Sequence, residues 1–116
     1  MPNHTAAAIA ISASLLAACS TEPCILLPSH GIEAEVRTLG GVPAADGATA
    51  QAHRGDDSEV LQRRDDLVFT GVHEPGTYRL TVTKPGYHLA EIEGIRVTGD
   101  ACGVETTNVP VTLLPE

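Results

Sequence analysis

Three cysteines, five histidines and fifteen carboxylates are the reactive groups of this 116-residue chain. Their spacing decides what chemistry they can do. His73-Glu74 has two atoms' worth of a metal site, but no second histidine follows at helical spacing and Pro75 ends the segment, so it reads as a solvated loop. Asp56-Asp57, Glu59 and Asp65-Asp66 crowd one insert, and hard cations such as calcium take carboxylate oxygens. Arg54, Arg63 and Arg64 stand among them, which favours a solvated acidic loop, and no cofactor is expected. No Cys-x-x-Cys occurs, and His30, His53, His73 and His88 share no ligand spacing with Cys24 or Cys102, so no metal site is expected. No Gly-x-Ser-x-Gly positions a nucleophile. The residues therefore point away from an enzyme. A net charge of −8 argues against nucleic acid, whose phosphates need basic patches, and one Phe with two Tyr leaves no stacking platform for single strands.

None of the charged side chains occurs before Glu22. From Ala6 to Ala18 the chain reads AAAIAISASLLAA, too short an apolar run to span a bilayer as a helix and the right length for the hydrophobic region of a signal peptide. It ends in Leu16-Ala17-Ala18-Cys19, which resembles the lipobox of bacterial lipoproteins. The resemblance implies cleavage after a leader of residues 1–18 and lipidation of the Cys19 thiol, with a tether over 19–31 and a domain over 32–116. The segment Met1 to Thr5 departs from the usual pattern in carrying His4 but no Lys or Arg. With Ser20 rather than Asp at the next position, the outer membrane is the expected location, reached through lipid and not through a span. If Cys19 carries lipid, Cys24 and Cys102 remain as an even pair in a disulfide-permissive compartment, where a bond between them is expected; the other reading of each is a buried free thiol. Such a bond would contribute on the order of 4 kcal/mol by restricting the unfolded chain.

The remainder predicts an all-β domain. Thr77-Tyr78-Arg79-Leu80-Thr81-Val82-Thr83 alternates with Tyr78, Leu80 and Val82 inward. Glu33 to Arg37 and Ala48 to His53 alternate likewise, and Leu67 and Phe69 are expected to share one face opposite Val68 and Thr70. Ile92 is out of phase with Ile95 and Val97, which places a bulge or kink at Gly94. Val109, Val111 and Leu113 share a face, and Pro110 between them predicts a strand that lies at a sheet edge or presents that residue outward. Gly40-Gly41, Asp46-Gly47, Gly55-Asp56-Asp57, Glu74-Pro75-Gly76 and Lys84-Pro85-Gly86 fall between strands, the two Pro-Gly pairs suiting type II turns. Turns spaced by roughly ten residues predict a sandwich or a barrel.

Val42-Pro43, Asp46-Gly47-Ala48, Gly55, Phe69, Glu74-Pro75-Gly76-Thr77-Tyr78-Arg79-Leu80-Thr81-Val82 and Lys84-Pro85-Gly86-Tyr87 together resemble the carboxypeptidase regulatory-like domain, over about Ile32 to Leu114. The resemblance implies a transthyretin-like (prealbumin-like) Greek-key β-sandwich of about seven strands, in a family of mostly non-catalytic accessory modules. Two enzymatic relatives of that fold do not match. Hydroxyisourate hydrolases close with Tyr-Arg-Gly-Ser where this chain has Leu113-Leu114-Pro115-Glu116, and the two-tyrosine, two-histidine iron site of intradiol dioxygenases cannot be made from Tyr78 in the core and the adjacent Tyr87-His88. The expected function is a non-catalytic envelope lipoprotein that binds or scaffolds a protein, peptide or glycan through loop tips and an edge strand, with Ser58 to Arg64 as a contact surface to test. The alternative is a small metal-dependent enzyme or sensor using the acidic insert or the histidines.

Overall fold

A computed structural model describes residues 29–116; the 1–18 leader, Cys19, Cys24 and most of the 19–31 tether lie outside the described residues. The described chain is all-β. Its strands are β1 (Ile32–Thr38), β2 (Thr49–Arg54), β3 (Asp57–Val60), β4 (Gln62–Arg63), β5 (Val68–Gly71), β6 (Gly76–Thr83), β7 (Ala90–Val97), β8 (Gly99–Asp100), β9 (Gly103–Val104) and β10 (Thr107–Leu113). One four-stranded sheet runs β10-β1-β5-β4, a second runs β3-β2-β6-β7, and β8-β9 form a small hairpin.

The two larger sheets share one core, because their alternating residues face each other. Ile32, Ala34 and Val36 of β1 and Val109, Val111 and Leu113 of β10 come from one sheet; Ala50, Ala52, Tyr78, Leu80, Val82, Ile95 and Val97 come from the other. Burial of these aliphatic side chains is the main driving force, at about 25 cal/mol per Å² of apolar surface removed from water. Phe69 and Tyr78 are the buried aromatic side chains among the described residues.

Several features follow the sequence pattern. β6 pairs with β7 as Tyr78↔Ile95 and Leu80↔Ile92, so Glu93 and Gly94 together oppose Arg79, and Gly94 has φ +72°. That is a bulge whose positive φ glycine accommodates without strain. β10 lies at a sheet edge with Pro110 exposed between buried Val109 and Val111. Tyr87 N–H donates to the Lys84 carbonyl at 3.1 Å and Gly86 has φ +87°, as a type II turn requires.

Three expectations are corrected. Val68, Phe69, Thr70 and Gly71 are all buried rather than alternating, because β5 is an inner strand that β1 and β4 flank and the chain covers on both faces. The Gly55 to Asp66 segment is not a loop: Asp57–Val60 closes a hairpin on β2, Leu61 is buried, and Gln62–Arg63 pairs with β5 of the other sheet. The chain thus crosses between sheets at Leu61, with polar residues on either side that gave no apolar alternation. Glu74-Pro75-Gly76 forms no type II turn, since Gly76 has φ +157° and already opens β6.

The registers also fix which parts share an end. Ile32 pairs with Thr107 and Gly71, and Gly76 with Val97, while Gly31 N–H donates to the Val72 carbonyl. This is the entry end, where the chain arrives from residue 29. At the opposite, far end Thr38 pairs with Leu113, Thr49 with Thr83 and Val82 with Ala90. There Lys84 Nζ donates to the Ala44 and Asp46 carbonyls at 3.1 and 2.6 Å, tying the two sheets' loops together.

Candidate functional site

At the entry end a cleft of about 360 Å³ opens between the β2–β3 hairpin and the segment joining β5 to β6. Arg54, at the last position of β2, sets its polarity. Its Nη2 donates to Glu74 Oε2 at 2.6 Å, its Nη1 donates to the Pro75 carbonyl at 2.8 Å, and its guanidinium lies 5.5 Å from the centre of the Tyr78 ring. The hydrogen bond it donates to the Glu74 carboxylate raises the Arg54 pKa above its ordinary value. Tyr78 O–H donates to the Glu74 carbonyl at 2.8 Å, and burial raises its pKa. Among the described residues, Arg54, Glu74 and Tyr78 are tied to one another by these bonds.

The opposite wall is held by strained backbone. Val72 is buried and has φ +72°, a conformation that costs a β-branched residue about 1–3 kcal/mol. Both of its peptide groups are tied down: Glu59 Oε2 accepts its N–H at 2.9 Å, and its carbonyl accepts Gly31 N–H at 2.7 Å. Gly71 beside it packs closely, since a Cβ there would press on Leu61 Cδ2 and stand 2.9 Å from Glu59 Oε2, so both side chains would have to shift.

The acidic insert does not converge. Asp57 and Glu59 line the entry-end cleft, whereas Asp65 and Asp66 lie toward the far end, where the Asp66 carbonyl accepts Ala45 N–H. Asp65 Oδ1 accepts the N–H groups of Leu67 and Val68 at 2.9 and 2.8 Å, and these bonds, Leu67's first, lower its pKa. Arg63 pairs with Asp46 at 3.9 Å, and Arg64 with Glu33 at 3.4 Å and Asp65 at 3.5 Å. Among the described residues no three His, Cys, Asp or Glu side chains are grouped to hold a metal ion.

Because the folded pKa of Asp65 is lowered, its contribution to stability is present above the unfolded value, about 3.9, and is lost as pH falls through the folded one. A carboxyl-carbon NMR titration is expected to give Asp65 a midpoint below that of an unstructured Asp. A midpoint at or above that value would show the two backbone bonds to be absent in solution.

The far end differs in chemistry. Leu39, Val42, Leu89 and Leu114 are 69%, 60%, 58% and 49% exposed, four of the five large apolar side chains in the open among the described residues; Val60 on β3 is the other. Leu39 and Leu114 directly follow the paired residues Thr38 and Leu113, and His88 N–H donates to the Leu114 carbonyl at 2.8 Å, which fixes Leu89 beside them. Leu89 and Leu114 border a shallow groove of about 270 Å³ with Ile92 and Pro110. Tyr87 is half-buried against the core with Lys84 Nζ 6.0 Å from its ring centre, so it caps the sandwich.

Of the residues singled out in the sequence, Cys19 and Cys24 lie outside the described residues. Cys102 sits between β8 and β9 at the entry end, is not a free thiol, and lines the same depression as Ser29. His53 Nε2 is 2.9 Å from Thr81 Oγ1, and His73 stands on the cleft beside His30, a pairing that their separation in sequence conceals. No alternating pattern gathers Leu39, Val42, Leu89 and Leu114 into one group; their position next to turns, outside any alternating run, is the signal the sequence offers. No protein-family model matches this chain, and no curated protein sequence matches it.

Proposed function

We propose that this protein is a lipid-anchored envelope lipoprotein, non-catalytic, whose domain presents the far end of its sandwich to a partner. The observation that carries the reading is polarity: the chain enters at one end, and the exposed Leu39, Val42, Leu89 and Leu114 all lie at the other. Anchoring through Cys19 of a bacterial outer membrane places the entry end against the lipid and the apolar rim away from it. Large apolar side chains gathered at one surface region mark interaction sites, whereas isolated ones do not. Aliphatic rim residues suit a protein or peptide better than a glycan, which needs polar groups and aromatic faces, and the charge of −8 favours a basic partner.

Strand addition is the weaker route. β10 carries Pro110, β7 carries a bulge at Glu93-Gly94, and β3 and β4 have four and two residues, all devices that blunt sheet edges. A bond between Cys24 and Cys102 fits the same picture, because Ser29, five positions after Cys24, borders the depression that Cys102 lines, within reach of a short extended segment. It would hold the domain near the bilayer.

Photo-crosslinking from position 42 or 89 in intact envelopes is expected to give a discrete protein adduct. The same probe at position 57 or in the Ser58 to Arg64 segment is expected to give little. Adducts concentrated at the entry end, or none at the far end, would sink this assignment.

A further inference from the structure

His30 lies on the segment leading into β1, and His73 follows the strained Val72; their ring centroids are 5.3 Å apart with planes inclined by 48°. The spacing is set by backbone. Gly31 N–H donates to the Val72 carbonyl between the two, and the His30 carbonyl accepts Thr106 Oγ1–H at 2.8 Å. His73 Nδ1 lies 3.1 Å from the Ser29 carbonyl oxygen, a contact that is a hydrogen bond when Nδ1 carries the proton, which leaves the lone pair on Nε2. A backbone carbonyl holding the far nitrogen is the usual support of a metal-ligating histidine. His30 Nδ1 is the one buried side-chain nitrogen or oxygen among the described residues that lacks a hydrogen-bond partner. Buried polar atoms are otherwise paired, so this nitrogen has a lone pair or proton that a ligand could satisfy. A tetrahedral ion with Zn–N bonds of about 2.0–2.1 Å puts two imidazole centroids roughly 5 Å apart, close to the separation seen.

We propose that His30 and His73 form a two-imidazole site for a divalent transition ion, best matched by zinc, with water in the remaining positions. No third His, Cys, Asp or Glu joins them among the described residues, so the site is open and exchangeable rather than a closed structural centre. Binding would couple the entering segment to the strained turn at Val72.

The test uses the full chain in detergent, slightly above neutral pH, with Co²⁺ as the spectroscopic probe and Zn²⁺ for thermal shift. One Co²⁺ per chain is expected, showing d–d absorption without a thiolate-to-metal band, and Zn²⁺ is expected to raise the melting temperature. In the unmodified protein the His30 and His73 ring signals are expected to shift on Zn²⁺ addition while His53 and His88 stay. His30→Ala and His73→Ala should each weaken binding on the order of tenfold or more, and His53→Ala and His88→Ala should not. Absence of binding, a thiolate band, or ring shifts at His53 or His88 instead would overturn the site; the ring shifts decide even where a variant fails to fold.

Discussion

A Cys19→Ala chain is expected to leave the membrane fraction entirely. If the Leu16-Ala17-Ala18-Cys19 box directs lipidation, the Cys19 thiol is the group that carries the lipid, and no substitute nucleophile stands in its place. Buried acyl chain contributes about 0.8 kcal/mol per CH₂, and attachment of more than one chain makes anchoring stable, so the change is from bound to released rather than a graded loss. Fractionation reads the location. Intact mass, with and without reductant and alkylation, reads the rest: loss of the 1–18 leader, gain of acyl groups, and protection of Cys24 and Cys102 until reduction. A full-length, unmodified mass with alkylatable thiols would remove the lipoprotein reading and the disulfide together, while leaving the fold and the His30–His73 site standing.

Leu80→Ala should cost about 2–5 kcal/mol. Leu80 is fully buried near the middle of β6, opposite Ala52 on one side and Ile92 on the other. Its small neighbours Ala50 and Ala52 offer no side chain able to fill the cavity. Against a total stability of about 5–15 kcal/mol, that loss shifts a urea midpoint strongly. Leu89→Ala, at the exposed rim, is expected to change stability by less than about 0.5 kcal/mol. Similar costs for the two would mean that the sheets do not pack through Leu80.

Much of the fold could be read from the chain because its signals are local. The alternation Tyr78, Leu80, Val82, the Gly94 bulge, the edge proline and the Lys84-Pro85-Gly86-Tyr87 turn each depend on residues within a few positions. The misreadings share a cause, which is that burial depends on neighbours. β5 is covered on both faces by elements from both directions in the chain, so its pattern does not alternate. β3 and β4 are exposed polar edges whose strand character comes from partners β2 and β5, not from their own side chains. The candidate site is harder still. Val72 would be assigned an ordinary extended conformation; only the combination of Glu59, Gly31 and Gly71 forces it elsewhere. His30 and His73 meet because β1 and β5 are antiparallel neighbours, which no spacing rule reveals.

The parallel pairing of β1 with β10 joins the first described strand to the last. In kinetic terms this makes completion of the domain wait for its final residues. The β2–β3 and β6–β7 hairpins can form from nearby segments, but β1 keeps one edge and its Ile32, Ala34 and Val36 face incompletely covered until Val109, Val111 and Leu113 arrive. Such long-range closure carries a large loop entropy and slows folding relative to hairpin formation. Removal of the seven residues of β10 should therefore leave an open, aggregation-prone edge rather than a smaller stable domain.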